Sequence, residues 1–186
     1  MEITYELLWE IRELQDKIVL LDIERWSFYA FRTWNWWLLV AFLIVPWMIW
    51  MKLLDKQRVM EILLFGMIII LLTVNLDSLG TQLGYWMYPV KLIPIIPKAL
   101  PFDASVVPVA YMLIYQYFYS WKSYSLALVA MAVIYAFVGE PLAHWLDQVL
   151  YVKWNYIYSF FYYLLTGIAV KWLVDKVVRV AKGARS

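Results

Sequence analysis

Asp77, Asp103, Glu140, His144 and Asp147 are ionisable side chains set at the edges of long apolar stretches. Glu140 and His144 are spaced i, i+4, and His144 and Asp147 i, i+3, so all three would share one helical face. Pro141 follows Glu140 and frees a carbonyl one turn back. A carboxyl kept from water without a partner is costly as an anion. It is suited to general-acid work. Glu140 or Asp103 would be the protonated general acid and Asp77 would pair with it or act as base, although Asp103 also fits a simple helix N-cap. Tyr111, Tyr115 and Phe118 follow i, i+4, i+7, with Gln116 beside them. Such a stripe packs a core, or walls a cavity in which ring faces steady a cation.

Other chemistries are absent. The chain has no cysteine, hence no disulfide, thiolate nucleophile or cysteine metal site. One histidine makes a Ser-His-Asp triad improbable, and no phosphate-cradling glycine loop appears. The spacing of Asp77, Asp103, Glu140 and His144 specifies no metal, and the chemistry expected of them needs no cofactor. A formal charge of +2 gives no footprint for nucleic acid.

The elements that must position these groups are membrane helices. Of the 186 residues, 65% are hydrophobic and 16% charged. Soluble domains carry roughly 45–50% and about 25%, so a water-soluble globule is excluded. Residues 33–51, 62–76, 104–121, 123–139 and 154–170 carry no charge. A spanning helix needs about 20 mostly apolar residues, and helices satisfy their own backbone in lipid. The fold class expected is an all-α integral membrane bundle of five transmembrane helices. The run 62–76 reaches only about 22 Å, less than the hydrocarbon core of about 30 Å. Of its bounding acids, Glu61 and Asp77, at least one should lie at membrane depth, shielded by protein. Trp34, Trp36, Trp37, Trp121 and Trp154 read as an interfacial belt. Lys171 and Asp175 read as a snorkelling pair.

Residues 1–30 form an acidic amphipathic helix, with Leu7, Ile11, Leu14, Ile18 and Leu21 as its stripe. Residues 31–178 form the five-helix domain and residues 179–186 a basic tail. Between helices two and three, Pro89, Pro94, Pro97 and Pro101 read as a proline-rich cap over the outer end. Lys and Arg are more numerous at residues 52–58, Lys122 and the C-terminal tail than on the opposite face. This predicts an outside N-terminus and a cytoplasmic C-terminus.

The stretch DSLGTQLGYWMYPVKLIPIIPKALPFDASVVPVAYMLIYQYF, then FVGEPLAHWL and KWNYIYSF, resembles a family of small uncharacterised membrane proteins found mainly in endospore-forming Firmicutes. The similarity covers about residues 34–172. It implies a bacterial inner-membrane protein of about five helices and no established activity. A weaker resemblance is to the integral-membrane lycopene cyclase domain. Asp77, Gly84, Trp86 and Tyr88 match its Asp and Gly-x-Trp-x-aromatic stretch, and Pro101 with Asp103 approximates its Pro-x-Glu-Glu. Ala104 stands where the second acid of that pair would be. Glu140 with Trp154 and Tyr156 resembles a degenerate second copy. This implies acid-started carbocation chemistry, with aromatic faces steadying the cation.

The leading expectation is an enzyme that cyclises or isomerises an isoprenoid-like substrate near the outer face. Glu140, Asp103 and Asp77 would be catalytic. Trp86, Tyr88, Tyr111, Tyr115, Gln116, His144, Trp154 and Tyr156 would bind substrate. The alternatives are a membrane scaffold, linked to sporulation and docking through the N-terminal helix, and a small proton-coupled transporter using Glu140 and His144. Expected partners are membrane lipids and a lipophilic small molecule, not nucleic acid, and a homo-oligomer stays open.

Overall fold

The computed structural model describes residues 2–30, 32–94 and 98–183, and the chain is all-α, about 81% helical. Pro97 of the expected cap and residues 184–186 of the basic tail lie outside the described residues. The elements are α1 (Glu2–Arg25), α2 (Trp34–Leu53), α3 (Val59–Gln82), β1 (Trp86–Met87), α4 (Val107–Tyr117), α5 (Trp121–Ile134), α6 (Glu140–Trp145), β2 (Leu150–Tyr151) and α7 (Tyr156–Gly183). Wide turns of π type occupy Trp26–Ala30, Phe102–Val106 and Tyr135–Gly139.

Four helices are long and apolar enough to cross a membrane: Trp34–Leu53, Val59–Gln82, Trp121–Trp145 and Tyr156–Gly183. The uncharged run 104–121 does not yield a fifth of that length. Its helix ends at Tyr117, and Phe118–Tyr119 leaves the helical path before Ser120 caps α5. With its leading π turn it spans residues 102–117, about 24 Å.

The two π turns beside the acids share a cause. Val107 and Glu140 each precede a proline, and each donates its N–H five residues back, to the Phe102 and Tyr135 carbonyls. A proline ring crowds the carbonyl four residues before it and disfavours ordinary helix at its predecessor. Widening the turn accommodates the ring. Pro108 leaves the Ala104 carbonyl without its helical donor, and the Trp47 indole N–H takes that place at 2.9 Å. Asp103 therefore sits inside one π turn, and Glu140 directly follows the other.

The core lies between α3, α4, α5 and α7. Phe65 and Tyr115 stack at 4.4 Å between centroids. The phenols of Tyr111 and Tyr124 donate to the Tyr163 and Gly167 carbonyls of α7 at 2.6 and 2.9 Å. Each ring buries its body and satisfies its polar tip, as a tyrosine in an apolar bundle must. Outward-facing Leu71, Leu126, Leu165 and Ile168 are exposed, as lipid-facing residues would be. The stripe on α1 does not pack on the bundle, and Leu7, Ile11, Leu14 and Ile18 are all exposed. An Asp22–Lys91 ion pair ties the end of α1 to the segment after β1. The Leu92 carbonyl there accepts both the Trp26 and Trp36 indoles at 3.0 Å.

Two sequence readings change here. Helix α6 stops at Trp145, and Asp147 takes a left-handed φ of 53°, so it does not share the Glu140–His144 face. Lys171 does not snorkel to water. Its side chain is 4% exposed, paired with Asp175 at 3.2 Å. The rings of Tyr115, Trp121 and Tyr124 enclose its ammonium at 4.9, 5.2 and 4.9 Å.

Candidate functional site

A cavity of about 250 Å³ lies among α3, the two π turns, α6 and α7. Strands β1 and β2 pair antiparallel beside it, Trp86 opposite Tyr151 and Met87 opposite Leu150. Apolar walls come from Phe42, Leu76, Phe102, Val106 and Tyr135. Leu142 lines the cavity and is 49% exposed, which puts an opening toward the surface at α6.

Asp77, Asp103 and Glu140, from three different elements, all line this cavity. Among the described residues, none of the three has a Lys or Arg within ion-pair distance. Their surroundings differ. Asp77 Oδ1 accepts the Trp86 indole N–H at 2.8 Å and the Tyr88 hydroxyl at 2.6 Å. Trp86 reaches it by lying over Gly80, the one kind of residue in α3 that leaves room for an indole there.

Glu140 is held from α7. Ser159 Oγ donates to its Oε2 and the Tyr163 hydroxyl to its Oε1, each at 2.8 Å. Trp154 Nε1 donates to Ser159 Oγ at 2.8 Å. An indole N–H can only donate, so the serine proton is left to point at Glu140. Tyr151 lies against the same carboxylate. Burial first, then Glu140, push the Tyr151 phenol up. Burial and the nearby Asp77 push the Tyr88 phenol well above its ordinary value. Both phenols stay protonated through neutral pH and act as donors.

Asp103 is the exception. It is buried, and among the described residues its Oδ2 has no hydrogen-bond partner. The nearest charged influence on it is Asp77, a like charge. Thr73 Oγ1 fixes the Asp103 backbone carbonyl at 3.1 Å and leaves the carboxyl alone.

Trp86, Tyr88 and Trp154 also line the cavity. Trp86 and Trp154 meet edge to face at 4.9 Å. His144 and Tyr156 stand just outside, both against the Tyr151 ring. Tyr111 is core, beyond the cavity's lining. Tyr115 and Gln116 lie at the other end of the bundle. Tyr115 donates to Glu61 at 2.7 Å, and Gln116 donates to the Leu53 carbonyl at 2.7 Å. Both positions lie on α4, some 15–20 Å along the axis from Asp103 at 1.5 Å per residue.

Sequence reasoning passed over Phe42, Phe102, Tyr135, Tyr151, Ser159, Tyr162 and Tyr163, all in the lining. The one available signal was Ser159 and Tyr163 at i, i+4, polar groups on one face of an uncharged run. Among the described residues, no group of three or more His, Asp or Glu converges to hold a metal ion.

Comparison of the chain with protein-family models, with curated proteins and with solved structures finds no match. The functional reading therefore stands on the geometry of the site.

Proposed function

We propose that this integral membrane protein is an enzyme that isomerises or cyclises a lipophilic, isoprenoid-like alkene inside the acid-lined cavity. The observation that carries the reading is Asp103 Oδ2: buried, without a donor, and set in an aromatic cavity opposite two carboxyls that are well supplied with donors. A carboxyl in that setting is held most cheaply as the neutral acid.

The chemistry needs no oxidant and no cofactor. Asp103 gives its proton to one carbon of a C=C bond, whose π pair forms the new C–H bond. The cation left on the other carbon faces Trp86, Tyr135 and Phe102, whose ring faces favour positive charge. Either the cation is attacked by a second double bond, closing a ring, or it passes directly to the last step. Glu140 then takes a proton from a neighbouring carbon, and that C–H pair becomes the new double bond. The protein has lost one proton at Asp103 and gained one at Glu140, so turnover requires its return between the acids.

The cavity limits the substrate. At about 30 Å³ per water-sized group, its 250 Å³ holds about eight non-hydrogen atoms. One isoprene unit and part of a second fit inside, and the rest of a longer chain would leave past Leu142.

The same reading includes a fifth crossing by residues 102–117. Asp103 lies level with Thr73, and Tyr115 with Glu61, so this segment runs antiparallel to α3 through the bundle. Five crossings would put the N-terminus outside and the C-terminus in the cytoplasm of a bacterial cell. The proline-rich segment would then cap the outer end, anchored by the two indoles on Leu92. Kinship to the integral-membrane lycopene cyclase domain belongs to the same proposal.

Mass spectrometry of lipid extracts from purified wild type, Asp103→Asn and Glu140→Gln tests it. A specific co-purifying isoprenoid is expected, converted by wild type and unconverted by both variants. Bulk phospholipid in all three samples would sink the enzyme reading. It would favour a scaffold that docks through the exposed stripe of α1. In that case, deleting residues 1–25 would abolish assembly.

A further inference from the structure

At the opposite end of the bundle, Arg58, Glu61, Tyr119, Lys171, Asp175, Val178, Arg179 and Lys182 surround an open hollow of about 560 Å³ between the start of α3 and the end of α7. Four of these side chains are cationic and two are carboxylates. The carboxylates are already engaged. Glu61 accepts Arg58 Nη2 at 2.6 Å and the Tyr115 hydroxyl at 2.7 Å. Asp175 pairs with Lys171 at 3.2 Å and takes a second bond from Tyr115 at 3.2 Å. Among the described residues, Arg179 and Lys182 have no carboxylate within ion-pair distance.

The floor of the hollow is rigid. Arg58 lies over the Tyr119 ring at 4.5 Å, and its Nη1 donates to the Gln116 carbonyl at 3.2 Å. Lys171 is caged by three aromatic rings. Arg179 and Lys182, at i, i+3 on α7, form the open side.

Depth decides what such a hollow would meet. Helix α7 has 28 residues, about 42 Å, against a hydrocarbon core of about 30 Å. Trp172 is exposed, with Lys176 over its ring at 5.2 Å, which marks the boundary level on α7. Arg179 and Lys182 stand about one turn and under two turns beyond Lys176, on the headgroup side of that level. The anion present there in quantity is the phosphodiester of a phospholipid. Arginine forks match phosphate oxygens in pairs, and basic pockets between membrane helices take anionic headgroups.

We infer that this hollow is a binding site for the phosphate headgroup of an anionic phospholipid, with the Arg179 fork and the Lys182 ammonium as its ligands and Arg58, held by Glu61 and Gln116, in its floor. The site is independent of the acid-lined cavity.

The test is native mass spectrometry of the full chain released from micelles, titrated with phosphatidylglycerol, phosphatidylcholine or inorganic phosphate. Wild type is compared with Arg179→Gln/Lys182→Gln and with the charge-matched control Lys52→Gln/Lys56→Gln, all at exposed positions. Wild type should prefer phosphatidylglycerol over phosphatidylcholine. The first variant should lose about tenfold or more in affinity. The control should lose little. Equal loss in both variants would show diffuse attraction and overturn the site. So would no loss in the first variant. Binding of inorganic phosphate with no lipid preference would overturn the lipid assignment.

Discussion

The indole of Trp86 occupies the space that a side chain on Gly80 would need. A Cβ built there would stand 2.0 Å from Trp86 Cη2. This close approach lets a residue of β1 reach into α3 and donate to Asp77 at 2.8 Å. Gly80→Ala must therefore displace the indole and break that bond. A loss of about 1–3 kcal/mol is expected from overpacking, read as a lower Tm with an altered tryptophan emission. An unchanged Tm would show that the ring has another seat.

Asp103→Asn separates stability from chemistry. Among the described residues the buried Oδ2 has no donor, and an amide is as neutral as the protonated acid and of the same shape, so the exchange costs the fold little. We expect Tm to hold while turnover of the proposed substrate disappears. A fall of several degrees with activity retained would contradict both halves.

Trp154→Phe keeps a ring in the wall but removes the donor that orients Ser159. The serine proton is then free to turn away from Glu140. The bond is worth about 1 kcal/mol, so the fold should survive. Turnover should drop, and Ser159→Ala should show the same drop with no further loss in the double variant. Additive losses would place Trp154 and Ser159 in separate roles.

Tyr115→Phe removes one hydroxyl that serves both Glu61 and Asp175. It should cost about 1–3 kcal/mol in stability, because Glu61 loses the phenol's single proton at 2.7 Å and Asp175 its weaker share at 3.2 Å. The ligand profile of the acid-lined cavity should not change, since Tyr115 is not in its wall. A changed profile would mean that the two ends of the bundle are coupled.

Tyr88 and Tyr151 set an alkaline limit. Both phenols are raised above an ordinary value of 10.0 in the folded state. Below that value both states hold the proton, and their contribution to stability is complete. As pH rises past about 10 the unfolded chain ionises first, and stability falls until the folded-state values are reached. Tm should be flat from pH 7 to 9 and fall above 10. Tyr88→Phe/Tyr151→Phe should start lower at pH 7, having lost its donors, and fall less steeply.

Much of the fold was legible because hydropathy is a local property. Uncharged runs of the right length become helices whatever surrounds them, since lipid leaves the backbone no other partner. The proline signal was local too, and Pro141 stands where helix geometry changes, whereas Asp103, which fits an N-cap by sequence, lies inside a π turn. The helix in the run 104–121 ends before the run does, because hydropathy does not report where a helix stops. The run's last residues are apolar but not helical.

For the site, the amino-acid sequence alone determined that Asp77, Asp103 and Glu140 were too apolar in context to be ordinary surface acids. Only the tertiary structure decided which groups meet them. Tyr111 and Tyr115 share a helical face with each other, yet one lies under the Tyr163 carbonyl and the other reaches Glu61. Periodicity gives a direction around a helix axis, not a depth along its neighbours. Ser159 lies 19 residues from Glu140, and Trp86 nine from Asp77. Those distances in sequence close only because α5 and the π turn after it run antiparallel along α7 and β1 folds back over Gly80. Lys171 is the clearest case. Its charge predicted water, and three aromatic rings with one carboxylate supplied a dry substitute that no single segment encodes.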